Sequence, residues 1–330
     1  MRMDGQMDKL SLAIVAPVFN DWPSLHKLIR TIAEQEKLKN SRIRIIAVDD
    51  GSPIYDPPKG DMIRDPVEAI SIVRLKANQG HQRAIALGLA YLFRNHQPDL
   101  VVIMDSDGED RPENIAELIA AHQQNPGSIV VAQRRRRSEG LFFRAFYKLY
   151  KLAFVQLTGR HISFGNFSLI PINRLPNVIY NDAIWNSYPA ALLRCHIPLS
   201  FVDADRGARY FGVSSMNFTS LMLHGMSAIA AFSDIVIGRI IAALALSVIL
   251  FTIAVAVIIF LKLSAGFFLP GYATTLILFL SNMLISALLI GFLLILTLLA
   301  SRTQRSTTPS TVLDDLLLKV DNIDRSKAAA

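Results

Sequence analysis

Two long stretches without a charged residue stand near the C-terminal end of the sequence. One covers residues 240–261, and the other covers residues 263–300 with a break at Pro270 and Gly271. About 20 apolar residues in a helix span the hydrocarbon core of a bilayer. The sequence therefore predicts two membrane-spanning helices joined by a short turn. Buried helices of a soluble core are the alternative, but two such stretches in tandem favour the membrane.

The rest of the chain is divided by composition. We expect a flexible leader that is not a signal peptide, because the first apolar run is short and contains Pro17. A tail with one short helix over residues 312–320 is expected to follow the spans. The predicted regions are a leader (1–9), a catalytic domain (10–215), an amphipathic interfacial helix (216–234), the membrane region (235–300) and a cytoplasmic tail (301–330).

Basic residues near the spans predict how the chain is oriented. Arg239, Arg302 and Arg305 lie outside the two spans, whereas the turn between them offers only Lys262. Positive residues prefer the cytoplasmic side of a membrane, so both termini are expected in the cytoplasm. The net charge of +7 is compatible with nucleic acid, but in a chain with membrane spans anionic lipid is the favoured partner. We predict no nucleic-acid partner, and Cys195, as the only cysteine, excludes an intrachain disulfide.

The segment before the spans alternates between strand and helix patterns. This alternation is typical of an α/β domain with a mainly parallel sheet. A proline-rich and charged stretch, residues 54–67, is expected to be an irregular loop. The predicted strands are 11–18, 43–48, 70–75, 100–104, 129–132 and 201–205, and the predicted helices include 82–93, 112–123, 141–157 and 216–232.

One predicted strand ends in a dense acidic turn. After the apolar residues 101–104 come Asp105, Asp107, Glu109 and Asp110. Ligands of open α/β sheets bind outside the carboxyl ends of the strands. Two nearby carboxylates repel each other unless a cation lies between them, and Mg²⁺ prefers a few carboxylates together with substrate phosphates. The turn therefore indicates a metal site on a nucleotide diphosphate, with a helix-capping acidic turn as the alternative.

A basic segment follows the predicted sheet strand at residues 129–132. It comprises Arg134 to Arg137, and the next predicted helix carries Arg144, Lys148 and Lys151. A solvated face explains part of this charge. An anion-binding site beside the acidic crevice is the second interpretation.

Four short blocks resemble the signature blocks of family 2 glycosyltransferases with a GT-A fold, in order and in spacing. They are residues 16–20 (Ala-Pro-Val-Phe-Asn), 48–52 (Val-Asp-Asp-Gly-Ser), 78–80 (Asn-Gln-Gly) and 104–108 (Met-Asp-Ser-Asp-Gly). Residues 109–113 (Glu-Asp-Arg-Pro-Glu) are similar to the dolichyl-phosphate mannose synthase branch. That branch includes bacterial polyprenyl-phosphate glycosyltransferases with two C-terminal membrane helices. The resemblance covers about residues 10–240 and the helix pair.

The resemblance implies a nucleotide-sugar site with a divalent ion, Mg²⁺ or Mn²⁺. Asp105 and Asp107 would hold the ion, and Asp105 would also belong to the nucleotide-sugar site. UDP and GDP remain alternatives for the nucleotide. The other implied nucleotide-sugar residues are Pro17, Asn20, Asp49, Asp50, Asn78 and Gly80.

The resemblance also implies a polyprenyl phosphate acceptor. Arg134, Arg144, Arg209 and Ser214 fall where the family binds the lipid phosphate, although Ser215 replaces the lysine that usually follows this serine. The Q-x-x-R-W block of processive polysaccharide synthases is absent from the sequence, which argues against chain elongation. The implied protein lies in the bacterial inner membrane, contacts membrane lipids and forms a homo-oligomer as one option.

The implied reaction is attack of a lipid phosphate oxygen on the anomeric carbon, with inversion. A phosphate monoester has a second pKa of about 6 and is already an anion at neutral pH, so it needs positioning more than a base. The resemblance implies that Arg209 is the catalytic arginine, and guanidinium suits this role because it binds phosphate without losing its proton. If a base is used, Asp107 and Asp110 are the candidates.

Several alternatives stay open in the sequence. His81 is a candidate for contact with the sugar, and Trp185 and Tyr188 are predicted either to stack on a sugar or to pack in the core. The acceptor is either the lipid phosphate or another membrane molecule such as a glycolipid. A transporter or a nucleotide-binding membrane scaffold is the non-enzymatic alternative, which the acidic turn and the small number of spans disfavour.

Overall fold

The computed structural model describes residues 9–134, 141–212, 218–265, 271–303 and 307–325. The chain forms two compact units. The first contains Met1–Lys151, Arg160–Ala231 and Thr307–Ala330, and the second contains Leu152–Gly159 and Phe232–Ser306.

The first unit is built on a sheet of eight strands. Across the sheet the order is β7-β5-β6-β4-β1-β2-β3-β8. The strands β2, β1 and β4 are parallel neighbours, β3 is parallel to β2, and β7 is parallel to β5, whereas β6 and β8 run antiparallel to their neighbours. In chain order the strands are β1 (Leu10–Val18), β2 (Ser41–Asp49), β3 (Val67–Leu75), β4 (Leu100–Ile103), β5 (Ile129–Arg134), β6 (Phe164–Pro171), β7 (Leu199–Ala204) and β8 (Leu317–Asp324).

Helices α1 (Trp22–Ala33), α2 (His81–Asn95) and α3 (Ile115–Gln124) pack on the sheet of the first unit. Helix α1 shows why, because its buried residues Trp22, Leu25, Leu28, Ile29 and Ile32 recur every three or four positions and form one apolar face. The helices are α1 (Trp22–Ala33), α2 (His81–Asn95), α3 (Ile115–Gln124), α4 (Leu141–Thr158), α5 (Leu175–Ile179), α6 (Tyr188–Arg194), α7 (Phe218–Ala230) and, after the second unit, α10 (Pro309–Leu316).

The expected α/β architecture with a mainly parallel sheet is confirmed. Each of the six predicted strands is present, with ends that differ by a few residues. The predicted loop over residues 54–67 is irregular apart from one short 3-10 turn, Gly60–Met62, and the first residue of β3. Strand β6 was not predicted, although it supplies the antiparallel partner of β4.

The prediction for the C-terminal segment is wrong over residues 309–324. Instead of a flexible tail with a helix over 312–320, helix α10 ends at Leu316 and strand β8 begins at Leu317. Strand β8 pairs with β3 from Leu75↔Leu317 to Ala69↔Asp324. An uncovered edge strand leaves N–H and C=O groups without sheet partners, so pairing with β3 overrides the local helical pattern.

The second unit contains the long helices α8 (Ser233–Ala265) and α9 (Tyr272–Thr303), together with the last turns of α4. Two segments are long and apolar enough to cross a membrane: Ser233–Ser264, with mean hydropathy 3.1, and Tyr272–Thr297, with mean hydropathy 2.4. In the 18-residue apolar stretch that qualifies each segment, only 6% of the residues are buried within the protein. The two helices approach closely, because a Cβ atom at Gly291 would lie 2.0 Å from Cδ1 of Leu244. Small residues permit such close contact between membrane helices.

Candidate active site

Parallel strands β1, β2 and β4 bring the predicted site residues to one edge of the sheet. These strands end at Val18, Asp49 and Ile103, and the polar segments follow directly. Ser106 in the acidic turn donates a hydrogen bond of 2.9 Å to the carbonyl oxygen of Pro17. The first and fourth sequence blocks therefore meet in the fold, at the edge where α/β proteins bind ligands.

Backbone hydrogen bonds fix the shape of the acidic turn. Asp110 accepts a hydrogen bond from the backbone N–H of Asp105 across 2.9 Å. Asp107 accepts one from the N–H of Glu109 at the same distance, through Oδ1. The side chain of Asp110 is buried. Its carboxylate thus orients the segment that carries the predicted metal ligands.

Asp105 lies beside a histidine and an asparagine. Nε2 of His81 is 3.2 Å from Oδ1 of Asp105, and Nδ2 of Asn166 is 2.9 Å from the same histidine nitrogen. A protonated Nε2 donates to Asp105, whereas an unprotonated Nε2 accepts from Asn166. Burial alone would lower the pKa of His81, but the charge and hydrogen bond of Asp105, together with the charges of Asp110 and Asp107, outweigh burial and raise the pKa. Asn166 lies on the unpredicted strand β6, and the sequence offered no motif that marks it.

Asp107 forms an ion pair with the predicted catalytic arginine. Nη2 of Arg209 donates to Oδ2 of Asp107 across 2.6 Å, and Nε of Arg209 lies 3.4 Å from Glu109. Arg206 pairs with Glu109 as well. Burial raises the pKa of Asp107, and the charges of Asp105 and Glu109 raise it further, while Arg209 acts in the opposite direction.

The segment that carries Arg209 is also joined to the acidic turn through its backbone. Gly207 donates its N–H to the carbonyl oxygen of Glu109 at 2.9 Å, and Tyr210 donates its N–H to that of Asp107 at 2.8 Å. Gly207 is required by this contact, because a Cβ atom there would lie 2.2 Å from the carbonyl oxygen of Gly108. The structure therefore brings Arg209 and Asp107 together, as expected for parts of one site.

The side chains at this edge suit a hard divalent ion. Asp105 and Asp107 offer carboxylate oxygens, and among the residues that the structure describes no group of three His, Cys, Asp or Glu side chains could hold a metal. Mg²⁺ and similar ions commonly take one or two protein carboxylates and complete their shell with phosphate oxygens and water. Two aspartates without a third ligand fit that pattern.

The aspartates of the second block are buried and engaged within the protein. Oδ1 of Asp49 accepts the N–H of Ser52 at 2.9 Å, and Oδ2 lies 3.1 Å from Nε of Arg74. Asp50 accepts the N–H groups of Gln79 at 2.7 Å and Gly80 at 2.9 Å. Burial raises the pKa of Asp50 in spite of these two bonds. Both carboxylates therefore hold the loops of the site in place.

Other predicted nucleotide-sugar residues lie on the rim of the same edge. Asn20 is exposed, adopts a positive φ of 54°, and donates its N–H to Oγ of Ser52 at 2.9 Å. Asn78 is exposed, and Gly80 has a φ of 90° immediately before α2. Three predicted lipid-phosphate groups lie outside the described residues: the side chains of Arg134 and Arg144, and the whole of Ser214.

The two aromatic candidates for sugar stacking have other contacts. Tyr188 is fully buried, and its hydroxyl lies 2.6 Å from Oγ of Ser168, so Tyr188 packs in the core. Trp185 donates its indole N–H to the carbonyl oxygen of Thr307 at 2.5 Å, and the guanidinium of Arg83 lies 5.9 Å from its ring. His81, in contrast, does lie at the candidate site.

Comparison with known proteins gives related sequences of named activity. A protein of Aeromonas hydrophila subsp. hydrophila named undecaprenyl-phosphate 4-deoxy-4-formamido-L-arabinose transferase is 31% identical over 156 residues, which is 46% of this chain and 45% of that protein. The protein of the same name from Photorhabdus laumondii subsp. laumondii is 26% identical over 235 residues, which is 66% of each chain. This chain thus spans about half to two thirds of the length of these relatives.

The fold is also similar to that of solved structures. Glucosyl-3-phosphoglycerate synthase from Mycobacterium tuberculosis, in complex with Mn²⁺, uridine-diphosphate-glucose and phosphoglyceric acid, has a TM-score of 0.49 and 15% sequence identity. The similarity covers 69% of this chain and 80% of that one. The sequence profile described as Glycosyl transferase family 2 matches residues 13–193, more than half of the chain. The chain, with its GT-A-like α/β domain, belongs to glycosyl transferase family 2.

Proposed function

We propose that this protein is a membrane-bound glycosyltransferase that moves a sugar from a nucleotide diphosphate sugar to a polyprenyl phosphate. The observation that carries the proposal is the acidic pair Asp105 and Asp107 at the carboxyl edge of the parallel strands, with Arg209 on Asp107. Relatives named as undecaprenyl-phosphate sugar transferases support it. The two long apolar helices support a membrane-embedded acceptor.

The donor is proposed to bind along the rim formed by the first three blocks. Pro17, Asn20, Asn78 and Gly80 would contact the nucleotide sugar, and Asp49 and Asp50 would hold these loops from behind. UDP and GDP are both candidates for the nucleotide. Mg²⁺ or Mn²⁺ on Asp105 and Asp107 would neutralise the charge that develops on the leaving diphosphate.

Transfer is proposed as a single displacement with inversion. A lipid phosphate oxygen forms the new bond to the anomeric carbon while the bond from that carbon to the diphosphate oxygen breaks, and the nucleoside diphosphate leaves. The acceptor anion needs no deprotonation at neutral pH. Of the two candidate bases, Asp110 is already occupied by the N–H of Asp105 and Asp107 by Arg209, which favours a mechanism without a protein base.

The lipid phosphate is proposed to bind Arg209 together with Arg134, Arg144 and Ser214. Guanidinium groups suit this role because they bind phosphate in a bidentate manner. Helix α7 has exposed apolar side chains, among them Met222, Leu223 and Met226. These side chains favour placement of α7 at the membrane interface. Both termini and the α/β domain are proposed to lie on the cytoplasmic side of a bacterial inner membrane.

Sugar transfer in detergent tests this proposal. Polyprenyl phosphate is incubated with radiolabelled UDP- and GDP-sugars in the presence of Mg²⁺ or Mn²⁺, with EDTA and Asp105→Asn plus Asp107→Asn as controls. We expect a mild-acid-labile lipid product that is lost in both controls. Nucleotide binding without any lipid product from these donors would contradict the proposed acceptor and favour another membrane acceptor such as a glycolipid.

A further inference from the structure

The C-terminal strand β8 carries two charged residues that hold one tyrosine. Tyr55 lies in the loop between β2 and β3, and its hydroxyl donates a hydrogen bond to Asp321. Nζ of Lys319 lies 4.5 Å from the centre of the same ring and 2.7 Å from Oδ2 of Asp321. The strand that follows the membrane helices thus fixes both the hydroxyl and the ring of Tyr55.

Tyr55 in turn contacts an arginine. The guanidinium carbon of Arg74 lies 4.3 Å from the ring centre, within the range of a cation–π contact. Trp22 packs edge-on against Tyr55 with ring centres 5.4 Å apart, and its indole N–H donates to the carbonyl oxygen of Ile54 at 2.8 Å. The ring of Tyr55 therefore fills the space between β8, α1 and Arg74.

Arg74 connects this group to the rim of the donor site. Its Nε lies 3.1 Å from Asp49, and its Nη2 donates to the carbonyl oxygen of Ser52 at 3.1 Å. Ser52 closes the same turn through its N–H to Asp49, and its hydroxyl accepts the N–H of Asn20. A continuous series of contacts therefore connects β8 with two of the blocks proposed to bind the nucleotide, residues 16–20 and 48–52.

We propose that Tyr55 and Asp321 are positioning residues for the donor nucleotide. Strand β8 holds Tyr55, Tyr55 holds Arg74, and Arg74 sets the turn over residues 49–52 on which the backbone of Asn20 depends. Donor binding then requires a segment that the chain reaches only after both membrane helices. This inference rests on the proposed function, because it assumes that the rim formed by Asn20 and the turn binds a nucleotide.

The direction of the effect follows from the contacts. Tyr55→Phe keeps the ring and its packing against Trp22 and Arg74 but removes the hydrogen bond to Asp321. Asp321→Asn keeps the size of the side chain but offers Tyr55 a neutral, weaker acceptor and removes the charge that binds Lys319. Each change loosens the turn without touching the acidic pair, so nucleotide affinity should fall while the chemical step is retained.

Nucleotide binding and transfer kinetics are measured on the full-length protein in detergent. The probes are UDP and GDP with Mn²⁺ in calorimetry, followed by the donor KM, the polyprenyl phosphate KM and kcat. We expect Tyr55→Phe and Asp321→Asn to weaken nucleotide binding and raise the donor KM by about 5- to 20-fold, with kcat and the lipid KM within about twofold of wild type. The two effects should be less than additive in the double variant, because both substitutions weaken the contact between Tyr55 and Asp321.

Asp324→Asn is the matched control. Asp324 lies on β8 opposite Ala69, and side chains three positions apart in a strand point to opposite faces. The nucleotide affinity of Asp324→Asn should equal that of wild type. An effect as large as that of Asp321→Asn, or affinities of both test variants within twofold of wild type, would overturn the inference. Wild-type protein that binds neither UDP nor GDP would instead overturn the proposed function itself.

Discussion

Arg209 holds Asp107 through a hydrogen bond of 2.6 Å between Nη2 and Oδ2. Asp107 is one of the two carboxylates proposed to bind a metal, and only 9% of its surface is exposed. A buried carboxylate is costly unless a cation compensates its charge. The arginine and the proposed metal ion would therefore compete for the same carboxylate, because each would neutralise its charge and each would be shifted when the other binds closely.

Replacing Arg209 by glutamine should separate these two roles. In the absence of nucleotide, Arg209→Gln is expected to bind Mn²⁺ about 3- to 10-fold more tightly, because no cation then competes for Asp107. Sugar transfer should nevertheless fall by about 100-fold or more, since the guanidinium proposed to bind the phosphate is lost. Electron paramagnetic resonance of free and bound Mn²⁺ measures the first effect, and the transfer assay measures the second.

Arg206→Gln is the control for this experiment, because Arg206 pairs with Glu109. Its Mn²⁺ affinity should change less than that of Arg209→Gln. Equal or weaker Mn²⁺ binding by Arg209→Gln would contradict competition between the arginine and the metal.

The contact between Gly207 and the acidic turn gives a second prediction. A Cβ atom at position 207 would lie 2.2 Å from the carbonyl oxygen of Gly108 and 3.0 Å from Cγ of Arg111. Gly207→Ala is therefore expected to separate the Arg209 segment from the turn and to lower kcat by about 10-fold or more, because a small displacement of a catalytic group is costly. Steady-state transfer kinetics measure this effect.

Gly127→Ala is the matched substitution, since among the described residues no atom beyond its chain neighbours lies within 4 Å of a Cβ atom at that position. It should leave kcat unchanged. Unaltered kcat in Gly207→Ala as well would show that the two segments need not touch during the reaction.

Much of the sheet could be predicted because its strands are continuous apolar runs. The burial of both faces of a central parallel strand leaves this signal in the sequence, as in the fully buried residues of β4. The common position of the signature blocks then follows from the direction of the strands, since parallel strands bring their carboxyl ends to one edge of the sheet. The direction of the strands is therefore sufficient to predict that Pro17 and Ser106 lie close together.

The antiparallel strands could not be predicted in the same way. Strand β8 interrupts its apolar residues with Lys319, Asp321 and Asn322, so it has no continuous apolar run, and pairing with β3 makes it a strand. The contacts of His81 with Asn166 and of Tyr55 with Asp321 join residues that are 85 and 266 positions apart. The local periodicity of a sequence contains no information on contacts between residues that are so far apart in the chain. The burial of Asp49 and Asp50 was missed for a related reason, because the arginine and backbone N–H groups that compensate them come from other strands and loops.

Close packing of α2 on the sheet gives a third prediction. A Cβ atom at Gly88 would lie 2.5 Å from Cγ2 of Val48 and 2.8 Å from Cγ1 of Val15. Helix propensity alone favours Gly→Ala by about 1 kcal/mol, but overpacking a filled core costs about 1–3 kcal/mol. Gly88→Ala is therefore expected to destabilise the protein, as a lower Tm in thermal unfolding.

Gly238→Ala provides the comparison within another helix, α8. Within the part of the chain that the structure describes, no atom outside the helix's own backbone and the neighbouring residues lies within 4 Å of a Cβ atom at Gly238, so the helix propensity term acts alone and Tm should stay constant or rise. A Tm for Gly88→Ala at or above that of wild type would show that α2 can move away from the sheet at little cost.

The stability of the α/β domain should depend on pH through His96. Burial lowers the pKa of His96 below 6.5, and the charge of Arg44 lowers it further. Its Nε2 is buried without a hydrogen bond in the described part of the chain, so a proton there is poorly compensated. Below pH 6.5 the unfolded chain therefore binds a proton that the folded protein resists, and folded stability is lost as the pH falls from 6.5 through the lowered pKa. Above pH 6.5 this contribution is fully present.

A neutral residue at position 96 removes this dependence. His96→Gln should therefore gain Tm relative to wild type as the pH falls from about 7.5 to about 5.0, whatever the difference between them at the higher value. Thermal unfolding of both proteins in the same detergent across this range measures the change, and subtraction cancels the titration of His81, whose raised pKa acts in the opposite direction. A constant Tm difference across the range would mean that His96 accepts its proton in the folded protein as readily as in the unfolded chain.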